Sequence, residues 1–119
     1  MTKEEIFFKR SLYFSQWIRK KLPDSNTGFI VTDIDFVLFN YKTKKVMLLE
    51  VKSHNDKVTY PQRQIYNCLD RWIKKGIDKD WQYLGWHVVT FERGGFEYGR
   101  TYFDGKLVTE SEVIKKLSF

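Results

Sequence analysis

Four charged residues in the first half of the chain have types and spacings that suit hydrolytic chemistry. Asp33 and Asp35 are two apart in one apolar segment, and Glu50 and Lys52 are two apart in the next. Successive side chains along a β-strand point to opposite faces, so residues two apart lie on the same face. If both segments are strands, each of them presents a pair of charged side chains on one face.

Both segments have the composition of β-strands. Residues 28–40 contain the run FIVTDIDFVLF, and residues 45–53 form the run KVMLLEVKS. Both runs are rich in the β-branched and aromatic side chains that favour strands. The intervening residues 41–44 are polar and few, which predicts that the two strands form an antiparallel hairpin.

The turn of this hairpin determines which charged residues face each other. A turn centred on residues 41–44 places Asp35 opposite Glu50, and Asp33 opposite Lys52. Directly opposed residues have Cβ atoms about 5 Å apart, so one divalent cation can bind both carboxylates. Without a cation the two acids would repel each other. The register therefore predicts a metal site on Asp35 and Glu50.

The chemistry of such a site follows from its ligands. An all-oxygen site suits Mg²⁺ or Mn²⁺, which keep bound waters and bind phosphate oxygens. Such an ion acidifies a bound water and neutralises charge that develops on a phosphodiester during hydrolysis. Lys52 can donate to the phosphate or orient the attacking water. Asp33 is expected to tune Lys52, with a second contact to the metal as the alternative.

The helix that follows the hairpin presents a polar residue to the same region. Pro61 in its first turn and Gly76 as its stop predict a helix over residues 61–76. On a helical wheel, Gln62 lies in the middle of the apolar arc, whereas Gln64 points away from it. A polar side chain that faces a sheet needs a partner, which the charged face or a nucleotide would provide. Gln62 is therefore a fourth candidate catalytic residue.

These residues resemble the signature of a known enzyme superfamily. Asp35, followed later in the chain by Glu50, one intervening residue and Lys52, is similar to the D…(D/E)-x-K motif of the PD-(D/E)XK nucleases. No proline precedes Asp35, and many family members also lack it. The resemblance implies a restriction-endonuclease-like fold, in which a helix, a motif-bearing hairpin and a second helix follow one another.

A second motif extends the resemblance. Gln62 and Tyr66 reproduce the Q-x-x-x-Y pattern that some branches carry on the helix after the lysine, so the likeness covers roughly residues 2–75. Some branches take a further metal ligand from an acid on the first helix, for which Glu4 is the candidate. The resemblance implies Mg²⁺- or Mn²⁺-dependent hydrolysis of DNA, with 5′-phosphate products, in recombination, repair or phage DNA processing. Within the superfamily, the chain resembles the junction-resolvase-like and small phage-type nucleases.

The remaining segments complete an α/β fold. In chain order, the predicted elements are a helix over residues 2–22, the two hairpin strands, the helix over 61–76, a strand over 86–92, a strand pair within 99–108 that turns at Asp104-Gly105, and a short helix opened by a capping box at 109–112. This α-β-β-α-β-β-β-α order predicts a mixed central sheet flanked by helices, within a single domain over residues 1–119.

The charge of the chain favours an anionic partner. Its 119 residues include 21 Lys and Arg against 15 Asp and Glu, a formal net charge of +6. DNA is the expected partner, with RNA left open, and a homodimer is expected if both strands of a duplex are cut. No apolar run approaches the about 18 residues that span a bilayer. A soluble, cytoplasmic protein without a membrane partner is therefore expected.

Six side chains are candidate contacts to nucleic acid, namely Asp33, His54, Tyr66, Lys42, Lys44 and Lys45. His54 directly follows the motif, and the three lysines cluster at the hairpin tip, where phosphate contacts would make affinity depend on salt. The alternative for each is structural, because loop histidines and lysines commonly lie on solvated surfaces.

Two other functional classes remain open at this point. A non-catalytic module that binds nucleic acid or assembles with partners could retain the nuclease scaffold and would bind DNA without metal. An unrelated α/β domain that binds a protein would have no affinity for nucleic acid even at low salt. Metal binding and nucleic-acid binding therefore separate the three hypotheses.

Overall fold

The computed structural model describes residues 12–119. The chain divides into two units, one that ends at Val31 and one that begins at Thr32 and ends at Phe119. The single domain expected over the whole chain stays a prediction.

The described part of the first unit is helical. Helix α1 (Leu12–Lys21) precedes Pro23, and a short 3-10 helix follows at Ser25–Thr27. The helix predicted over residues 2–22 is present from Leu12 onward, and its earlier residues, including Glu4, lie outside the described residues. None of the helices within residues 12–119 combines the length and apolarity that a membrane crossing requires.

The second unit is an α/β structure built on a five-stranded mixed sheet. Its elements in chain order are β1 (Phe36–Asn40), β2 (Lys45–Ser53), α2 (Tyr60–Gly76), β3 (Gln82–Phe91), β4 (Thr101–Phe103), β5 (Lys106–Val108) and α3 (Glu110–Leu117). The strands follow chain order across the sheet, with β2 and β3 parallel and the other neighbours antiparallel. The predicted α/β class and mixed sheet are confirmed.

The hairpin has the predicted register. Strands β1 and β2 pair from Phe36 with Leu49 to Asn40 with Lys45. The Asn40 side chain accepts the main-chain N–H groups of Lys42 and Thr43, at 2.9 and 3.1 Å, which stabilises the turn. Alternation of side chains and a short turn thus suffice to set which residues oppose each other.

The first strand is shorter than predicted, and this corrects part of the expected pairing. Strand β1 begins at Phe36, so the ladder stops one residue before an Asp35–Glu50 pair and does not contain an Asp33–Lys52 pair. The Asp35 carboxylate instead accepts the N–H of Val51 at 2.9 Å. The Asp35 side chain therefore accepts the hydrogen bond that the main chain of a longer β1 would otherwise accept from β2.

Both helices of the second unit begin with a capping box. In α2, Thr59 and Gln62 exchange side-chain and main-chain hydrogen bonds. In α3, Thr109 and Glu112 do the same, as the sequence predicts. The turn before α3 is also as predicted, because β4 and β5 meet at Asp104-Gly105 with positive φ values of 51° and 83°.

The middle of the sheet is covered on both faces. On one face, Leu49, Val89 and Phe103 form a buried core against which Leu117 of α3 packs. On the opposite face, the side chain of Glu50 meets Tyr66 of α2. Helix α2 connects two parallel strands, β2 and β3, so it crosses over the face that carries Glu50.

Strand β3 begins at Gln82, earlier than the predicted start at residue 86. The pairing with β2 shifts register between Val46 and Leu48, where Gly85 has a φ of 88°. The extra residue of this β-bulge breaks the alternation that marks a strand in the sequence. For that reason the sequence pattern predicts only the later part of β3.

We expect Gly85→Ala to destabilise the protein by about 1–2 kcal/mol, because an L side chain is disfavoured at its left-handed φ. An added Cβ would meet only an ordinary contact, with His87 Nε2 at 3.5 Å. Gly76→Ala is the matched control, since nothing lies within 4 Å of that Cβ and the position is helical. Urea unfolding of both variants measures the difference, and equal stability would contradict the role of the bulge.

Candidate functional site

Glu50 is the centre of the candidate site. Met47, Leu48 and Leu49 are buried in the middle of β2. Glu50 follows them and is also buried, with only 3% of its surface exposed. In the parallel partner strand it lies beside Val88. A carboxylate in such a position is costly unless it is hydrogen-bonded or paired with a cation.

Both oxygens of Glu50 have a partner. Tyr66 Oη donates to Oε2 at 2.5 Å, and Lys52 Nζ lies 3.5 Å from Oε1. The Lys52 side chain is itself largely buried, at 18% exposed. The two contacts offset part of the cost of burying the carboxylate.

The pKa of Glu50 is raised above its ordinary value of 4.5. Burial is the largest cause, and the neighbouring Asp35 carboxyl adds to it, whereas Tyr66 and Lys52 act in the opposite direction. Burial also raises the pKa of the Tyr66 hydroxyl, with Glu50 as the next cause. The pair therefore favours a neutral Tyr66 that donates to the acid.

Asp35 lies close to Glu50 although the ladder does not join them. It immediately precedes β1, is exposed, and accepts the N–H of Val51, the residue after Glu50. Its effect on the pKa of Glu50 reflects this proximity. The two predicted metal ligands are thus brought together, one buried and one at the surface.

Lys52 is positioned from two sides. Its ammonium lies near Glu50 and donates to Gln62 Oε1 at 3.3 Å. Gln62 Oε1 also accepts from the main-chain N–H of Thr59 at 3.2 Å, so the residue belongs to the capping box of α2. The Thr-x-x-Gln spacing that signals a capping box is visible in the sequence at Thr59 and Gln62.

Tyr66, which the sequence offers as a contact to nucleic acid, is buried in the structure. Only 1% of its surface is exposed, and its ring stacks on Trp86 at 4.7 Å with an interplanar angle of 11°. Its hydroxyl is engaged by Glu50. In this position Tyr66 holds the Glu50 carboxylate through its hydroxyl.

The lysines of the hairpin tip lie away from the site. Lys45 begins β2, five residues before Glu50, which corresponds to roughly 17 Å along a strand. Lys42 and Lys44 lie in the turn beyond it, and Lys44 Nζ pairs with Asp80 at 2.6 Å. The structure does not bring these three cations together with the acids.

The other candidates lie at the edges of the site. Asp33 is exposed and precedes Asp35 outside any strand. His54 is exposed directly after β2, has a φ of 55°, and lies 3.2 Å from Ser53 Oγ through its Nδ1. Glu4 lies outside the described residues.

The donor chemistry of the site fits Mg²⁺ or Mn²⁺. Within residues 12–119, no group of three or more His, Cys, Asp or Glu side chains could hold a metal ion. Mg²⁺ usually keeps several waters and takes only one or two carboxylates together with substrate phosphates. Asp35 and Glu50 can supply those carboxylates.

A cleft of about 800 Å³ opens beside Lys52. Its walls come from β2, β3, β4, the loop before α2, the first turn of α2, and the turn between β4 and β5. They are formed by Lys52, Asn55, Asp56, Lys57, Val58, Arg63, Trp86, Val88, Thr90, Tyr102, Asp104 and Gly105. Lys57, Arg63 and Tyr102 were not predicted as functional, because no local pattern shows that they meet.

Comparison with known proteins identifies no relative. No family model matches the chain, and neither a curated protein nor a solved structure is significantly similar to it.

Stability should depend on the charge of Glu50 in the metal-free protein. The pKa of Glu50 is higher in the folded protein than its ordinary value of 4.5. The protein therefore has the full stabilising contribution of Glu50 below pH 4.5, and loses it as the pH rises through the raised pKa. Glu50→Gln removes this loss. We expect the variant to gain on the order of 1 kcal/mol, or about 4 °C, over wild type between pH 4 and pH 8.

Thermal unfolding across that pH range in EDTA measures the effect. Glu97→Gln is the control, since Glu97 is exposed in the loop between β3 and β4. Parallel curves for wild type and Glu50→Gln would contradict the expected dependence.

Proposed function

We propose that this chain is a metal-dependent nuclease with a restriction-endonuclease-like fold and a PD-(D/E)XK-type centre that hydrolyses DNA. The observation that carries the proposal is the environment of Glu50. A buried carboxylate lies beside a second acid, Asp35, and within 3.5 Å of a lysine. This is a costly arrangement for a fold and a useful one for binding a divalent cation.

The electrostatics of the site support a bound cation. Burial and Asp35 both disfavour the charged form of Glu50. Lys52 alone offsets two acids incompletely, so a divalent ion would stabilise both carboxylates. Carboxylates whose charged form is disfavoured in this way are found more often at functional sites than in structural cores.

In this proposal each residue has a separate task. Asp35 and Glu50 hold the metal, which when bound neutralises phosphate charge and lowers the pKa of a coordinated water. Lys52 donates to the scissile phosphate, and Gln62 holds the ammonium at 3.3 Å. Tyr66 keeps the Glu50 carboxylate oriented.

The reaction is a hydrolysis that needs no further reagent. The oxygen of water forms a bond to phosphorus, and the bond from phosphorus to the 3′ oxygen breaks. The attacking water gives up a proton, and the leaving 3′ oxygen takes one up. The products are a 5′-phosphate and a 3′-hydroxyl, as the resemblance implies. A homodimer would be needed to cut both strands of a duplex.

One observation favours a second candidate function. Both oxygens of Glu50 already have partners within the chain, Tyr66 and Lys52. The acid can therefore be accommodated without metal, as in a non-catalytic module that binds nucleic acid on the same scaffold. Such a module would bind DNA equally well in EDTA and would not bind Mn²⁺ at this site.

Calorimetric titration with Mn²⁺ separates the two candidates. The nuclease proposal requires a binding event in wild type that Asp35→Asn removes. Asp78→Asn is the matched control, because Asp78 is exposed in the connection between α2 and β3, at the other end of the strands. Absence of Mn²⁺ binding in wild type, or its survival in Asp35→Asn, would reject the proposed centre.

A further inference from the structure

Two segments of the chain form the walls of the cleft that lies beside Glu50 and Lys52. Lys52 lies at one end of it and also contacts Glu50, so the cleft begins where the proposed chemistry takes place. The loop before α2 and the first turn of α2 form one wall. The turn between β4 and β5 forms the other. The volume of about 800 Å³ is within the range of pockets that bind small molecules.

One wall carries cations. Lys57 lies in the loop before α2, and Arg63 follows in the helix, with its guanidinium 5.6 Å above the ring of Trp86. Both residues are exposed. With Lys52 they give the cleft three positive side chains against the two carboxylates of Asp56 and Asp104, a surplus of positive charge that suits phosphate groups.

The strands that form the floor of the cleft supply mainly apolar and aromatic side chains. Val88 and Trp86 lie on the sheet face that carries Glu50, since Val88 is the β3 partner of Glu50. Tyr102 is the β4 partner of Thr90, and both line the cleft. A partly exposed tyrosine in a cleft that also holds cations can stack on a planar base.

The shape of the cleft distinguishes between forms of DNA. In a duplex the bases are stacked and paired, and a protein meets phosphates and groove edges. A concave cleft with an aromatic wall fits a nucleotide whose base has left the stack. Single strands and frayed ends supply such nucleotides at the lowest cost.

We propose that this cleft binds one unstacked nucleotide of a single DNA strand, next to the phosphate that is cut. Tyr102 stacks on the base, and Lys57 and Arg63 bind the adjoining phosphates. This inference rests on the proposed nuclease function and assigns its substrate class as single-stranded DNA or a strand end.

Binding can be measured without hydrolysis. Fluorescence anisotropy in EDTA compares a short labelled oligothymidylate with the same strand in a duplex, at several salt concentrations. We expect the single strand to bind at least about tenfold more tightly. Tyr102→Leu should weaken single-strand binding about tenfold, whereas Tyr102→Phe, which keeps the ring, should bind as wild type does.

The salt dependence separates phosphate contacts from loss of folding. Lys57→Ala and Arg63→Ala should each reduce the slope of log affinity against log salt by about 0.7, and Tyr102→Leu should leave the slope unchanged. Arg71→Ala is the matched control, because Arg71 is exposed on the same helix outside the cleft. Tyr98→Leu serves the same purpose for the aromatic change, since Tyr98 is 66% exposed.

The outcomes distinguish this inference from the proposed function. Unchanged single-strand affinity in Tyr102→Leu, or equal binding of duplex, would overturn the assignment of the cleft even if the protein hydrolyses DNA. Cleft-dependent binding of single strands without any hydrolysis in Mg²⁺ would support the cleft assignment and reject the nuclease proposal.

Discussion

Replacement of Lys52 by Ala, or of Glu50 by Gln, is expected to reduce Mg²⁺-dependent DNA hydrolysis at least about a hundredfold. Glu50→Gln preserves the shape of the side chain and one acceptor oxygen but removes the charge that a cation requires. Lys52→Ala removes the ammonium that lies 3.5 Å from Glu50 and would donate to the phosphate. Each change removes an interaction that strengthens as charge develops on the phosphate, so the loss should fall on the catalytic rate.

Nicking and degradation of single-stranded, flapped, four-way and duplex DNA would measure this loss. Lys79→Ala and Asp78→Asn are the controls, because both residues are exposed in the connection between α2 and β3. Circular dichroism would verify that each variant is folded. Equal activity in wild type, Glu50→Gln and Lys52→Ala would exclude the proposed mechanism.

Tyr66 is expected to give the largest change in stability. Tyr66→Ala removes a side chain that is 1% exposed, together with its stack on Trp86, and should cost about 3–5 kcal/mol. Tyr66→Phe keeps the ring and removes only the hydroxyl that donates to Glu50, and should cost about 1–3 kcal/mol. Urea unfolding of the two variants separates packing from hydrogen bonding.

Tyr66→Phe should also move the pH dependence of activity in a defined direction. The hydrogen bond from Tyr66 lowers the pKa of Glu50, so its loss raises that pKa further. Metal binding needs the carboxylate, and the rise of activity with pH should therefore begin at a higher pH in the variant. An acidic limb that coincides with that of wild type would show that the hydroxyl does not act on Glu50.

The hairpin shows what short-range patterns can predict. Alternating side chains and a short polar turn predicted the pairing of β1 with β2, and the five observed pairs agree. The same patterns overestimated the length of β1. They could not show that the Asp35 side chain takes the N–H of Val51.

Gln62 shows the limit of a helical wheel. The wheel predicted that this residue faces the sheet, and the structure places it beside Lys52 at 3.3 Å. It did not reveal that Gln62 also closes the capping box with Thr59. A substitution at Gln62 would therefore affect both the helix start and the lysine.

Some features were determined by the sequence alone because their causes are local. The α/β class, the hairpin register, the capping box of α3 and the turn at Asp104-Gly105 depend on residues a few positions apart. Side-chain alternation, capping hydrogen bonds and turn conformations act over that range. The spacings of Asp35, Glu50 and Lys52 are local in the same sense.

Other features were decided only by the tertiary structure. The parallel pairing of β2 with β3, the burial of Glu50 against Tyr66, and the meeting of Arg63 with Tyr102 around one cleft join residues far apart in the chain. Such contacts depend on which faces pack together, and packing is a property of the whole sheet. The sequence therefore determines which residue types form the candidate site. The fold determines how deeply they are buried, how their charges balance and which cleft adjoins them.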